Sequence, residues 1–67
     1  MEKFSCFNTS TNSTKKIICE SRDLLLGIIA TKFDINDMND WILKEFDVDT
    51  DSFIDVDDVN EIESKRL

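Results

Sequence analysis

The sequence predicts an α+β fold that is mainly helical, in which an N-terminal β-hairpin is followed by a bundle of three helices. Residues 1–20 contain two short runs rich in aromatic and β-branched residues, separated by a polar linker. From Ser21 onward the pattern becomes helical: an N-cap precedes an apolar run, and after residue 34 apolar residues recur every three or four positions. The length of 67 residues is that of one small domain, residues 1–67.

The hairpin is predicted over residues 1–20. Its two strands would be the runs "KFSCF" and "KKIICE", whose aromatic and β-branched residues favour strands. The linker "NTSTNST" consists of Asn, Ser and Thr, which favour turns.

The first helix is predicted over residues 21–33. Ser21 is a favourable N-cap, and Asp23 suits the positive end of the helix dipole in the first turn. The run "LLLGIIA" places apolar side chains on all sides of this helix rather than along one stripe. We therefore expect the helix to be covered on several sides.

Two further helices are predicted over residues 35–46 and 52–66. Both carry apolar residues at helical spacing: Ile35, Met38, Ile42 and Phe46 in the first, and Val56, Val59 and Ile62 in the second. The segments "FDINDMNDW" (33–41) and "IDVDDVNEI" (54–62) match position by position at an offset of 21 residues. Each combines an acidic start with an apolar stripe, so the same structure is expected for both.

The net charge of −7 is unevenly distributed along the chain. Residues 1–33 contain five Lys or Arg against three Asp or Glu, and residues 34–67 contain three against twelve. The acidic half repels phosphate groups, so we expect no nucleic-acid binding. A basic or amphipathic peptide suits this surface better.

The composition also argues against an enzyme. The chain has no His, which removes the commonest general base and the commonest zinc ligand, and its two cysteines, Cys6 and Cys19, are expected to be buried thiols. The run "LLLGIIA" is too short to span a membrane, and the first residues contain no apolar signal region. We expect a cytoplasmic protein without membrane contact.

The segment 47–58 resembles the calcium-binding loop of the EF-hand family. Calcium prefers six to eight oxygen ligands, and five carboxylates stand at suitable loop positions: Asp47, Asp49, Asp51, Asp55 and Asp58. Two positions depart from the family pattern, since Ser52 replaces the turn Gly and Asp58 replaces the bidentate Glu. The alternative is that these residues cap a helix start, where negative charge is favourable. Capping is the preferred interpretation, so no cofactor is predicted.

The segment "LLLGIIATKFDINDMNDWILKEFDVD" (24–49) resembles the PqqD-like family of peptide-recognition domains. An apolar helix, an acidic helix start, an apolar stripe and the ending "FDVD" carry this resemblance. It implies a winged-helix-like fold without catalytic activity. It further implies a module that binds the leader of a ribosomally made precursor peptide by strand addition and presents it to a modifying enzyme.

The same resemblance implies the residues of the peptide site. The peptide would lie between the strand edge at "KKIICE" and the third helix, contacting Lys16, Ile17, Ile18, Phe53, Val56, Val59 and Ile62. For each apolar residue in this set, packing in the core is the alternative. Two other functions remain open: an EF-hand-like calcium-binding protein, and a small helical structural subunit that docks on a partner or forms a homodimer.

Overall fold

The computed structural model describes residues 1–37 and 41–67 of the chain. Within these ranges it contains four β-strands, one α-helix and two short 3-10 helices. The strands are β1 (Glu2–Asn8), β2 (Ser13–Cys19), β3 (Lys44–Asp47) and β4 (Ser52–Asp55), and the helix α1 spans Leu25–Lys32. The 3-10 helices lie before α1 and after β4, at Arg22–Leu24 and Val59–Glu61.

Residues 1–20 form the expected antiparallel hairpin, here called the first hairpin (β1 and β2). Phe4 is paired with Ile17 and Glu2 with Cys19. Because side chains alternate between the two faces of a strand, one face carries the four buried residues Phe4, Cys6, Ile17 and Cys19. The other face is open to solvent.

The helix α1 packs across the buried face of β2. Ser21 caps the preceding 3-10 helix by accepting a hydrogen bond from the Asp23 N–H, as its sequence position predicts. Leu25 and Ile29 are the buried residues of α1. At its C-terminal end, the Lys15 ammonium donates a 2.7 Å hydrogen bond to the Lys32 carbonyl, which places a positive charge at the negative end of the helix.

The prediction of a mainly helical fold is wrong. Of the predicted helix 35–46, residues 44–46 belong to β3, and residues 35–37 and 41–43 are irregular. Residues 38–40, including Met38, lie outside the described residues. The predicted helix 52–66 is replaced by β4, one 3-10 turn and an extended end. The winged-helix-like bundle is therefore not the architecture of this chain.

β3 and β4 form the second hairpin. In its turn, as in the turn of the first hairpin, an Asn or Asp side chain accepts the N–H two residues later, and a second Asn or Asp has positive φ. The carboxylate of Asp47 accepts a hydrogen bond from the Asp49 N–H at 3.1 Å and another from the Thr50 hydroxyl at 3.0 Å. Asp51 then adopts a left-handed conformation with φ of 53°. Short polar side chains tolerate this conformation, so the segment turns back on itself without a glycine.

Residues 65–67 join the two hairpins. On one side, Ser5 and Phe7 of β1 donate N–H hydrogen bonds to the carbonyls of Lys65 and Leu67, and the Leu67 N–H returns one to Ser5. On the other side, the Phe46 N–H of β3 donates a 2.9 Å hydrogen bond to the Arg66 carbonyl. The result is one hydrogen-bonded layer in the order β2, β1, segment 65–67, β3, β4.

A single apolar cluster lies between the first hairpin, α1 and the last residues of the chain. Its buried members are Phe4, Cys6, Ile17, Cys19, Leu25, Ile29, Ile62 and Leu67. Six half-buried side chains pack around them: Ile28, Phe33, Trp41, Leu43, Val56 and Val59. The strands of the second hairpin contribute no buried residue to this cluster.

Arg22 and Glu2 hold the margin of this core together. The Arg22 guanidinium forms a two-pronged ion pair with the Glu2 carboxylate, with both N–O distances at 2.8 Å. It also donates hydrogen bonds to the carbonyls of Val59 and Ile62. Lys65 adds a 2.6 Å contact to the same carboxylate. Arg22 and Lys65 together lower the pKa of Glu2 from 4.5 to about 2, since both favour its charged form.

Candidate peptide-binding surfaces

The edge of β2 is the strand edge at which the sequence predicts peptide binding. Lys16 and Ile18 lie on the open face of the first hairpin, with 44% of Ile18 exposed, whereas Ile17 is fully buried in the core. Ile17 therefore stabilises the strand by packing in the core, and it cannot contact a ligand as predicted. Lys16 and Ile18 are accessible.

The hydrogen-bond pattern shows which backbone groups of β2 point outward. Ser5 and Phe7 direct their N–H groups toward segment 65–67, so β1 bonds to β2 through its even-numbered residues. The residues of β2 that are paired with Ser5 and Phe7 must then direct their own N–H and C=O groups away from β1. These residues are Lys16 and Thr14, and the same alternation adds Ile18.

The outward groups of β2 have no backbone partner in the part of the chain that the structure describes. The corresponding edge of β1 is different, because segment 65–67 occupies it. Three residues with unpaired donors and acceptors thus form a regular open edge at Thr14, Lys16 and Ile18.

The remaining predicted peptide contacts do not line a groove beside β2. Phe53 lies on β4, where it packs edge to face against Phe46 at a ring-centre distance of 5.4 Å. Val56 and Val59 are half-buried beside the core, and Ile62 is one of its buried members. Because the predicted third helix is absent, its apolar stripe does not exist as a surface.

Two aspartates of the segment that resembles a calcium loop, Asp47 and Asp58, have structural roles in turns. Asp47 accepts hydrogen bonds from the turn of the second hairpin, and Asp58 caps the second 3-10 helix through the Asn60 N–H. Asp55 forms a 3.7 Å ion pair with Lys44. No group of three or more His, Cys, Asp or Glu side chains within residues 1–37 and 41–67 is arranged to hold a metal ion. The segment joins two β-strands rather than two helices, and calcium binding stays a prediction.

A groove of about 530 Å³ lies on the second hairpin and the residues that follow it. We call it the acidic groove because eight carboxylates line it: Glu45, Asp47, Asp49, Asp55, Asp57, Asp58, Glu61 and Glu63. Apolar groups of Val48, Ile54 and Val56 lie among them. Glu45 bridges the groove by accepting hydrogen bonds from the N–H groups of Glu63 and Ser64, both at 3.2 Å.

The sequence predicts an acidic surface that suits a basic or amphipathic peptide, but its predicted helices 35–46 and 52–66 do not form this groove. The turn sequence offered a signal for the correct structure. "NTSTNS" (8–13) and "DVDTDS" (47–52) share Asn or Asp at the first and fifth positions, Thr at the fourth and Ser at the sixth. Both form the turn of an antiparallel hairpin.

The two cysteines are buried and unpaired. Burial raises the pKa of the Cys6 thiol, which favours its protonated, unreactive form. Cys6 is paired with Lys15 and Cys19 with Glu2, so the two sulfur atoms lie toward opposite ends of the hairpin. Both thiols act as apolar core groups.

Comparison with protein-family models, curated proteins and solved structures gives no match. The function must therefore be argued from the surfaces themselves. Within the described residues, no helix has the length and apolar character needed to cross a membrane.

Proposed function

We propose that this protein is a non-catalytic peptide-binding module that adds an extended segment of a partner to the open edge of β2. The observation that carries the proposal is the row of outward N–H and C=O groups at Thr14, Lys16 and Ile18. An exposed strand edge is a template for a further strand, because each added hydrogen bond satisfies a group that is otherwise left to water.

The opposite edge of the same hairpin shows this mode of pairing within the chain. Segment 65–67 binds to β1 through three main-chain hydrogen bonds of 2.7 to 2.9 Å, and it buries Leu67 in the core. A partner strand on β2 would make the same kind of contact. Main-chain bonds would supply affinity, and the alternate side chains would supply selectivity.

The surroundings of β2 set the side chains that such a partner can carry. On the open face, the partner would lie beside Lys16 and Ile18, which favour an acidic and an apolar residue. On the other face, its side chains would point toward the layer that contains α1. The finer expectation, a leader peptide presented to a modifying enzyme, depends on the family resemblance and stays a prediction.

A proline substitution tests the proposal. Lys16→Pro removes an outward N–H group but no hydrogen bond of the β1–β2 ladder, and proline is tolerated on edge strands. Lys16→Gln is the matched control, because it removes the charge and keeps the N–H group. Ligands for the test would be selected from a displayed library of random peptides, with unmodified protein as the target.

We expect selected peptides to protect the amides of Thr14, Lys16 and Ile18 from hydrogen exchange. Lys16→Pro should abolish binding, and Lys16→Gln should retain it. Amide NMR spectra of both variants would establish that the fold is intact. Peptides that bind Lys16→Pro as well as they bind the unmodified protein would contradict strand addition at β2.

A further inference from the structure

We propose that the acidic groove is a second docking surface, which binds an extended segment of a partner protein carrying alternate basic and apolar residues. This surface lies on the second hairpin, and it does not depend on the edge of β2. Three observations support it: the charges that line the groove, the apolar groups within it, and the open edge of β4.

The negative charge of the groove is largely uncompensated. Lys44 is the one cation, among the described residues, that forms an ion pair with a groove carboxylate, and this exposed contact is 3.7 Å long. The nearby Arg66 packs over the ring of Phe46 at 4.4 Å instead. Arg66 does not line the groove, and Arg22 attracts one of its carboxylates, that of Glu45, without an ion pair.

Several carboxylates of the groove have no structural role. Glu45, Asp47 and Asp58 accept backbone hydrogen bonds and so contribute to the fold. In the described part of the chain, the side-chain carboxylates of four others form no hydrogen bond or ion pair: Asp49, Asp57, Glu61 and Glu63. Such self-repelling charge destabilises a compact domain and is relieved by a bound cation.

The groove also exposes apolar surface. Val48 is 80% exposed and Ile54 is 43% exposed. These side chains give the groove an apolar component beside its carboxylates. Together the two features match a ligand that presents both ammonium or guanidinium groups and aliphatic side chains.

The backbone next to the groove favours an extended ligand. The Phe46 N–H points toward segment 65–67, and the Val56 N–H bonds to the Leu43 carbonyl. The alternation of the ladder then directs the N–H and C=O groups of Phe53 and Asp55 to the open edge of β4. Extended segments alternate their side chains, so the basic row, with its aliphatic stems, would lie over the groove, and the apolar row would lie on the face of Phe53.

The charge of the surface also excludes other ligands. Nucleic acids and anionic lipid surfaces carry phosphate groups, which eight carboxylates repel. After nucleic acids and anionic lipids are excluded, the ligand that fits is an extended peptide with alternate basic (Lys or Arg) and apolar residues. Electrostatic attraction would speed its encounter with the groove.

The experiment uses a short synthetic peptide of alternating Lys and Val, with an alternating Glu and Val peptide as the control ligand. Binding to the full chain would be followed by amide NMR at low and high salt. The test variant is Asp57→Asn/Glu61→Gln, which neutralises two carboxylates without structural bonds. The matched control is Glu20→Gln/Asp23→Asn, which removes the same charge outside the groove.

We expect the Lys–Val peptide to shift the amides of residues 52–57 and Glu45, and its affinity to fall as salt is added. The test variant should weaken binding roughly two- to tenfold, and the matched control much less. Lys16→Pro should leave this binding unchanged, which separates it from strand addition at β2.

Three results would overturn the proposal: equal binding of the Glu–Val peptide, equal losses in the two charge variants, or shifts that avoid the groove. Sedimentation of the protein without any peptide measures whether the chain self-associates. If the chain self-associates and Asp57→Asn/Glu61→Gln abolishes the association, the occupant is a second copy rather than a basic partner segment.

Discussion

The turns of the two hairpins have the same local structure, whereas their strands differ in length and in burial. Asn8 and Asp47 each accept a hydrogen bond from the N–H two residues later, and Asn12 and Asp51 adopt left-handed conformations with φ of 55° and 53°. The first hairpin has strands of seven residues and a buried face. The second has strands of four residues, none of them buried.

The difference in burial shows that the residues that allow a hairpin to form are not the residues that stabilise the folded protein. Short polar side chains are sufficient to reverse the chain, because they satisfy the backbone of the turn locally. Stability requires one apolar face packed against other elements, which the first hairpin has through Phe4 and Ile17. The second hairpin is held to the molecule at one edge, so its other surfaces remain available for binding.

The largest expected effect comes from truncating a Phe in each hairpin. Phe4→Ala should destabilise the protein by about 3–5 kcal/mol, because Phe4 is 2% exposed in the core. Phe53→Ala should cost about 1 kcal/mol, since Phe53 is 39% exposed and loses mainly its contact with the Phe46 ring. Urea unfolding, followed by the fluorescence of the single Trp41, would measure both.

A chain of this size has a total stability of roughly 3–10 kcal/mol, so Phe4→Ala should leave little folded protein. Phe4→Leu is the milder control, expected to remain folded. Similar losses for Phe4→Ala and Phe53→Ala would show that the second hairpin contributes to the core as much as the first.

Substitutions in the two turns should lower the free energy of unfolding by a smaller amount, which should be the same for both turns. Asn12→Ala and Asp51→Ala should each cost about 1 kcal/mol, because Ala tolerates a left-handed conformation less well than Asn or Asp. Asp51→Asn is the control and should be close to neutral. Urea unfolding again gives the values, and a cost confined to one hairpin would refute the equivalence of the turns.

The smallest of the three effects is a dependence on pH that belongs to the first hairpin. The folded-state pKa of Glu2 lies at about 2, below its ordinary value of 4.5. The ion pairs with Arg22 and Lys65 therefore stabilise the fold fully above pH 4.5, and this contribution is lost as the pH falls toward 2. Partly exposed ion pairs contribute little, so the change should be modest.

Glu2→Gln is the variant that measures this contribution. The difference in urea midpoint between the unmodified protein and Glu2→Gln should be constant above pH 4.5 and vanish near pH 2. If the difference in urea midpoint were the same at low pH, Glu2 would stabilise the fold through packing rather than through its charge.

The sequence was sufficient to predict the first hairpin and the first helix. The runs around Phe4 and Ile17 are rich in aromatic and β-branched residues, and Ser21 marks a helix start. In these segments residue propensity, turn chemistry and capping indicate the same structure. Agreement between independent local signals made the interpretation correct.

The second hairpin could not be separated from a helix by the same reasoning. Its strands are four residues long, too short to distinguish a period of two from one of 3.6. Asp favours both helix starts and tight turns, so Asp47 and Asp58 supported two structures equally. The matching segments at an offset of 21 residues then favoured the wrong one.

The candidate sites depended on this choice. Lys16 and Ile18 lie on an exposed strand edge, because the first hairpin forms as predicted, and their role in binding stays a prediction. Phe53 and Ile62 were placed on one helical stripe, whereas the structure puts Phe53 on an exposed strand and Ile62 in the core. The acidic groove requires the fold of residues 45–64, which local patterns do not contain.

The pairing of segment 65–67 with β1 has a consequence for how the chain reaches this structure. Each hairpin and α1 can form from neighbouring residues, but the parallel bridge between Ser5 and Arg66 closes a loop of roughly sixty residues. Contacts between residues so distant in sequence slow folding. We expect the hairpins to form early and the insertion of the last residues to limit the rate, so that the continuous layer is completed in one late step.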